Sequence, residues 1–132
     1  MGYFLGRFRG VTYAAMRIVF AFLYLSHGLQ WLFGTFGGEP VPLRSLFGVA
    51  GAIELVCGTL IGIGFLTGPA ALIASGEMAV AYYIGHVPRG AWPILNGGEI
   101  TVAFCFGFLY IATHGAGIFS VDWLIKRKDE RV

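Results

Sequence analysis

Four long apolar blocks follow one another along the chain, at about 10–33, 46–66, 70–85 and 98–117, with turn-forming strings between them. Each is near the roughly 17–24 residues that a helix needs to cross a hydrocarbon core, the third being the shortest. The string "GTFGGEPVPLR" at 34–44 is too rich in glycine and proline for a helix and reads as the first loop. "TGP" at 67–69 reads as a tight turn, with Pro69 suited to opening the next helix. "HVPRGAWPILNGG" at 86–98 reads as a longer loop. Only helices and closed barrels satisfy the backbone in lipid, and blocks of this length are helical. The pattern predicts an all-α membrane domain over residues 1–132, an up-down-up-down bundle of four transmembrane helices. The first block exceeds a signal-peptide core and no A-x-A site follows it, so it reads as an uncleaved helix.

Composition agrees with that pattern. Hydrophobic residues make up 57% of the chain and charged ones 12%, with mean hydropathy +0.75. A soluble domain carries about 25% charged residues, so this chain lacks the material for a solvated surface and reads as an integral membrane protein. No basic groove with interleaved aromatics points to nucleic acid. Four spans put both termini and the 67–69 turn on one side. That side carries Arg7, Arg9, Lys126, Arg127, Lys128 and Arg131, against Arg44 and Arg89 on the other, so the termini are expected in the cytoplasm. Trp31, Trp92 and Trp123 fall near span ends, where indoles prefer to sit.

The charges within the spans are fewer and more informative. Glu54 interrupts "VAGAIELVCGTLIGIG", Glu77 interrupts "AALIASGEMAVAYYIG", and Arg17 lies in the first block. A charge at mid-bilayer costs about 2.5–3.5 kcal/mol even on the gentler scales, so these three are expected to face the bundle interior as one cluster. Such a cluster either fixes helix register as a structural ion network or leaves one carboxylate to carry a proton. Gly51, Glu54, Gly58 and Gly62 recur at helical spacing, and Gly58-x-x-x-Gly62 reads as a close helix contact. Along the first helix Arg17, Ala21, Tyr24, Gly28 and Trp31 share a face, with His27 beside it. Along the fourth, Glu99, Ala103, Phe106, Tyr110 and Thr113 share one. Near the external end His27, Gln30, Asn96 and Glu99 fall at similar depth and form the expected substrate-binding group. Glu99 and His27 are the candidates for catalysis. His86 joins them only if the third helix ends or bends there.

Motif chemistry is sparse. There is no C-x-x-C, C-x-x-C-H, H-E-x-x-H, Ser-His-Asp arrangement or phosphate-binding loop, and no metal site is expected. "GIGFLTG" has dinucleotide-like glycines but lies inside a span with no strand before it. Cys57 and Cys105 read as buried free thiols. Ser120 is placed to N-cap a short tail helix beginning near Asp122, with Trp123 and Lys126 to Lys128 on the cytoplasmic surface against anionic lipid.

Three segments, "AAMRIVFAFLYLSHGLQWLFG", "GAIELVCGTLIGIGFLTGPAALIASGEMAVAY" and "NGGEITVAFCFGFLYIATHGAGIFSVD", carry a resemblance that spans about residues 12–125. Together they resemble the DoxX family, with its helix-one arginine and His-Gly, its Glu-Leu-x-x-Gly element and its closing Gly-x-Gly-x-x-Ser-x-Asp. The positions that match are Arg17, His27, Glu54, Met78, Asn96, Glu99, Ser120 and Asp122. Trp31 stands where a lysine is common, Gly68 where arginine is, and Ala116 where proline is. The resemblance implies a small four-helix protein of the cell inner membrane. It also implies association with quinone-linked oxidoreductases or other membrane redox assemblies, with quinone as the small molecule. Its implied partners are the lipid bilayer and other membrane or peripheral redox subunits, or further copies of itself. The alternative reading is a non-enzymatic scaffold or assembly factor for other membrane proteins. A transporter is the weaker third, because four helices without a repeat are few for alternating access.

Overall fold

The computed structural model describes residues 4–131, and every regular element among them is helical. Helix α1 covers Arg9–Phe33, α2 Leu46–Ile63 and α3 Thr67–Ala81. A single turn, α4, at Pro93–Asn96 precedes α5 at Glu99–His114, and α6 at Val121–Asp129 follows. Helices α1 and α2 are long and apolar enough to cross a membrane. Helix α5 is apolar but only 16 residues long, and α3 has 15.

The ends of these helices follow from local chemistry. Helix α1 stops at Gly34, whose left-handed φ of 68° turns its N–H back to the Gln30 carbonyl at 3.0 Å. Ser45 Oγ opens α2 by accepting from the Gly48 N–H at 3.0 Å. Helix α3 begins at Thr67, three residues earlier than expected, so Pro69 sits inside its first turn, where a missing N–H costs no helical bond. The 86–98 loop is more ordered than its composition suggests: Pro93 starts α4 and Gly97, left-handed, ends it. Helix α5 closes at Gly115, short of the expected 117.

Packing joins α1 to α2 and α3 to α5, with α2 against α3 linking the two pairs. Small residues set the α1–α2 distance. A Cβ on Gly28 would stand 2.7 Å from the Gly51 carbonyl oxygen and 2.8 Å from the Leu55 nitrogen. Gly58 lies on Leu25 and Gly62 faces Ala21, so the Gly58-x-x-x-Gly62 face is the contact with α1. Between apolar helices in lipid, such close van der Waals approach is a main attractive force. Helices α1 and α5 meet through rings. Tyr24 lies edge-on to Phe108, with centroids 4.8 Å apart, and Phe20 edge-on to Phe104 at 5.5 Å. Ile61, Ala71, Ala74 and Ile111 complete this fully buried layer.

Candidate functional site

Directly at the aromatic layer lies the most polar feature of the interior. Tyr24, which has no exposed surface, donates its phenolic hydrogen to Glu77 Oε2 at 3.1 Å. Glu54, from α2, is 4% exposed, and its Oε2 has no hydrogen-bond partner. Glu77 lies within electrostatic reach of Glu54, and Cys57, one turn further along α2, within that of Glu77 and Tyr24. Tyr24 and Glu54 are sealed, whereas Glu77 is only half-buried. Two carboxyl groups in an apolar interior without a cation are costly as a pair of anions, so a proton or a bound cation must accompany them.

That cation is not Arg17, and here the structure corrects the expected Arg17–Glu54–Glu77 cluster. Arg17 is fully buried and makes no ion pair with either carboxylate. Its Nη1 donates to the Ala116 carbonyl at 3.0 Å and its Nη2 to the Phe119 carbonyl at 2.8 Å. The reason is depth. Arg17 touches the turn at Gly64, while Glu54 and Glu77 each stand ten residues from Gly64 or Thr67, about 15 Å of helix. The carboxylates therefore share the level of Tyr24, two turns beyond Arg17 on α1.

Around Arg17 the chain builds a latch between its first helix, the α2–α3 turn and the segment before α6. Gly64 has φ 72°, and a Cβ there would overlap both Arg17 Nη1 and Ser120 Cβ, so the position excludes any side chain twice over. The Asp122 carboxylate accepts from the Leu66 N–H at 3.0 Å and the Thr67 N–H at 3.1 Å, capping α3 from another element. The Asp122 N–H in turn donates to the Gly64 carbonyl at 2.8 Å. Ser120 Oγ accepts from the Trp123 N–H at 3.2 Å, the N-cap expected from sequence. Tyr13 donates to the Gly115 carbonyl at 2.6 Å. The closing Ser-x-Asp element is thus a structural clasp.

The four residues expected to form an external substrate group are not joined by any hydrogen bond to one another. His27 and Glu99 are exposed. The α5 face of Glu99, Ala103, Phe106, Tyr110 and Thr113 is exposed along its whole length, and the buried face is Thr101, Phe104, Phe108 and Ile111. The shared-face pattern is correct, but it points outward, because the large rings that fill the core lie on the opposite side. Gln30 packs its side chain on Gly38 in the first loop. Asn96 is buried and saturated: its amide donates to Tyr82 Oη at 3.1 Å and the Gly90 carbonyl at 2.9 Å, and its Oδ1 accepts from the Gly98 N–H at 2.9 Å.

His86 does join this end, because the last turn of α3 loosens into a π-helical turn over Tyr82–His86. Its Nδ1 meets the Asn96 carbonyl at 3.1 Å, leaving Nε2 to accept from the Thr101 hydroxyl at 3.2 Å. Tyr24 is the candidate residue that sequence reasoning undervalued. It stood in the Arg17 face as a neighbour, and its seven-residue offset from Arg17 was the signal that the two serve different levels. Cys57 is buried; Cys105 is part-buried, and its carbonyl accepts from Ser75 Oγ at 2.7 Å.

Comparisons with known proteins place the chain in a family. No solved structure matches the chain. An uncharacterized protein of Haemophilus influenzae is 36% identical over 125 residues, covering 89% of this chain and 93% of that one. An uncharacterized membrane protein of Mycobacterium tuberculosis is 23% identical over 131 residues, covering 86% of this chain and 80% of that one. The DoxX family model matches residues 12–87, which include Arg17, Tyr24, Glu54, Gly64 and Glu77. The chain therefore belongs to the DoxX family of membrane proteins.

Proposed function

We propose that this protein is a four-span inner-membrane subunit of a quinone-linked oxidoreductase or related redox assembly, and that its bundle supplies a proton-holding centre at Tyr24, Glu77 and Glu54. The observation that carries this reading is the buried carboxyl pair itself. Glu77 is bound by a sealed phenol, Glu54 has an unpartnered oxygen, and the nearest buried arginine is engaged elsewhere. Quinone reduction takes up protons together with electrons, and a carboxyl pair that holds a proton is suited to give and reclaim it. Tyr24 orients Glu77 through its hydroxyl, and Glu54 is the second acceptor. A lipid-soluble quinone approaching from the bilayer would meet Glu77, the half-buried member. In this reading both termini face the cytoplasm.

The test uses native membranes containing the full chain. Glu54→Gln and Glu77→Gln are each expected to lower quinone-dependent turnover at least tenfold while the protein accumulates normally. Difference infrared spectra on quinone reduction should show a carboxyl band that Glu54→Gln diminishes. Unchanged turnover with no carboxyl signal would sink the proposal.

One observation favours the scaffold reading as second. His27 and Glu99 are polar, exposed and directed away from the bundle, as expected of groups that meet a partner membrane chain. Under that reading a partner co-purifies in fixed proportion and is lost when both are replaced.

A further inference from the structure

Two shallow hollows, each of about 320 Å³, adjoin at Leu124 on α6. One is walled by Ile63, Phe119, Val121, Trp123 and Leu124 and is largely apolar, Ser120 being its only hydroxyl. The other is walled by Leu124, Arg127, Lys128 and Arg131. Ile63 is the last residue of α2, so the apolar hollow opens where a membrane-crossing helix ends, and the basic hollow lies farther along the tail. Phe119 and Leu124 are 65% and 60% exposed, large apolar side chains left largely uncovered by the described residues. The Arg127 guanidinium lies 4.6 Å over the Trp123 ring, which fixes its position and leaves its N–H donors free. No carboxylate lines either hollow: Asp122, between two lining residues, is committed to capping α3, and Asp129 and Glu130, between Lys128 and Arg131, are not among the lining residues.

We propose that this joined groove seats an anionic phospholipid of the membrane that the chain spans. The first part of an acyl chain lies along Ile63, Phe119 and Leu124, and the phosphate is held by Arg127, Lys128 and Arg131. The order of the two halves decides the occupant. An apolar patch beside the hydrocarbon boundary followed by three cations matches a phospholipid from tail to headgroup. A soluble anion would leave the apolar half exposed, and a zwitterionic lipid would leave the basic half uncompensated. The clasp at Arg17, Gly64 and Asp122 makes the groove a fixed seat, because it holds the segment before α6 against the end of α2.

The experiment reconstitutes the full chain in nanodiscs of phosphatidylcholine with a minor fraction of phosphatidylglycerol and measures protein-retained lipid by mass spectrometry. Trp123 is followed by brominated-lipid quenching in a Trp31→Phe, Trp92→Phe background. Wild type is expected to retain phosphatidylglycerol over phosphatidylcholine, less so as salt rises. Each neutralised cation should cost about fivefold in that preference, so Arg127→Gln, Lys128→Gln and Arg131→Gln together nearly abolish it. Arg127→Lys with Arg131→Lys keeps the charge and should keep most of the preference. Equal retention of the two lipids by wild type overturns the proposal. So does an undiminished preference in the glutamine variant, or a loss in both variants alike. Retention of inorganic phosphate in place of lipid also overturns it.

Discussion

Tyr24 and Glu77 are joined by a phenol-to-carboxylate hydrogen bond of 3.1 Å between α1 and α3, two helices that otherwise meet mainly through α2 and α5. Replacing Tyr24 with phenylalanine removes that donor and leaves the ring packing on Phe104 and Phe108 in place. A hydrogen bond to a charged group contributes about 1.5–3 kcal/mol. We expect Tyr24→Phe to lower quinone-dependent turnover while thermal unfolding in detergent moves by only a few degrees. A variant with full turnover would remove Tyr24 from the proposed centre.

Glu54 and Glu77 differ in burial, and their glutamine variants should differ accordingly. Glu54→Gln replaces a sealed carboxyl with a neutral isostere of similar volume, removing an ionisable group buried near a second acid. Its unfolding midpoint is expected to stay level or rise. Glu77→Gln keeps an acceptor for Tyr24 and is expected to be near neutral. A strong destabilisation by Glu54→Gln, read by chemical denaturation in micelles, would mean that the carboxylate is held by a partner cation.

Arg17 is the opposite case. Arg17→Met keeps an unbranched stem but leaves the Ala116 and Phe119 carbonyls without donors, at about 1–3 kcal/mol for each group. The variant should unfold at clearly lower temperature, and α6 should become protease-sensitive first. Asp122→Ala, which removes the cap on α3, is expected to cost about 0.5–2 kcal/mol and to loosen the same region. Were both variants as stable as wild type by differential scanning calorimetry, the clasp would have no energetic role.

Close approach of α1 and α2 is tested at Gly28. A methyl group there meets Gly51 and Leu55 backbone, not a side chain that can turn away. Gly28→Ala is expected to destabilise by about 1–3 kcal/mol through overpacking, measured by the same unfolding assay.

His27→Ala and Glu99→Gln touch exposed groups and should change stability by no more than about 0.5 kcal/mol. Their effect, if the scaffold reading holds, appears only as loss of a co-purifying partner on native gels.

Much of this was legible in the residues, for identifiable reasons. Long apolar runs and Gly/Pro strings placed α1, α2, α3 and α5 because helix periodicity and turn chemistry are local. Ser120 as an N-cap was readable for the same reason. Gly58 and Gly62 as a contact face followed from spacing alone. Arg17 was misassigned because its partners are backbone carbonyls some hundred residues away, and carbonyls leave no mark in a sequence. Charge logic looked for an acid and found two at the wrong level. For Glu99 the residues showed a shared face and a depth near the external end but not which way that face points, because periodicity gives a face and not its direction. Only the placement of Phe104 and Phe108 against Tyr24 decides which face of α5 is buried. The π turn at Tyr82–His86 was conditional in the sequence, since nothing in "YYIGH" dictates a wider turn.

The clasp also imposes an order on how the protein can be made. Arg17 leaves the ribosome about a hundred residues before Ala116 and Phe119, the groups that will neutralise its donors. Until those residues are made, the Arg17 guanidinium lacks the two partners it has in the finished fold. The clasp closes only when the last segment arrives. A chain stopped before residue 115 would hold α1, α2, α3 and α5 but neither of the carbonyls on which Arg17 closes.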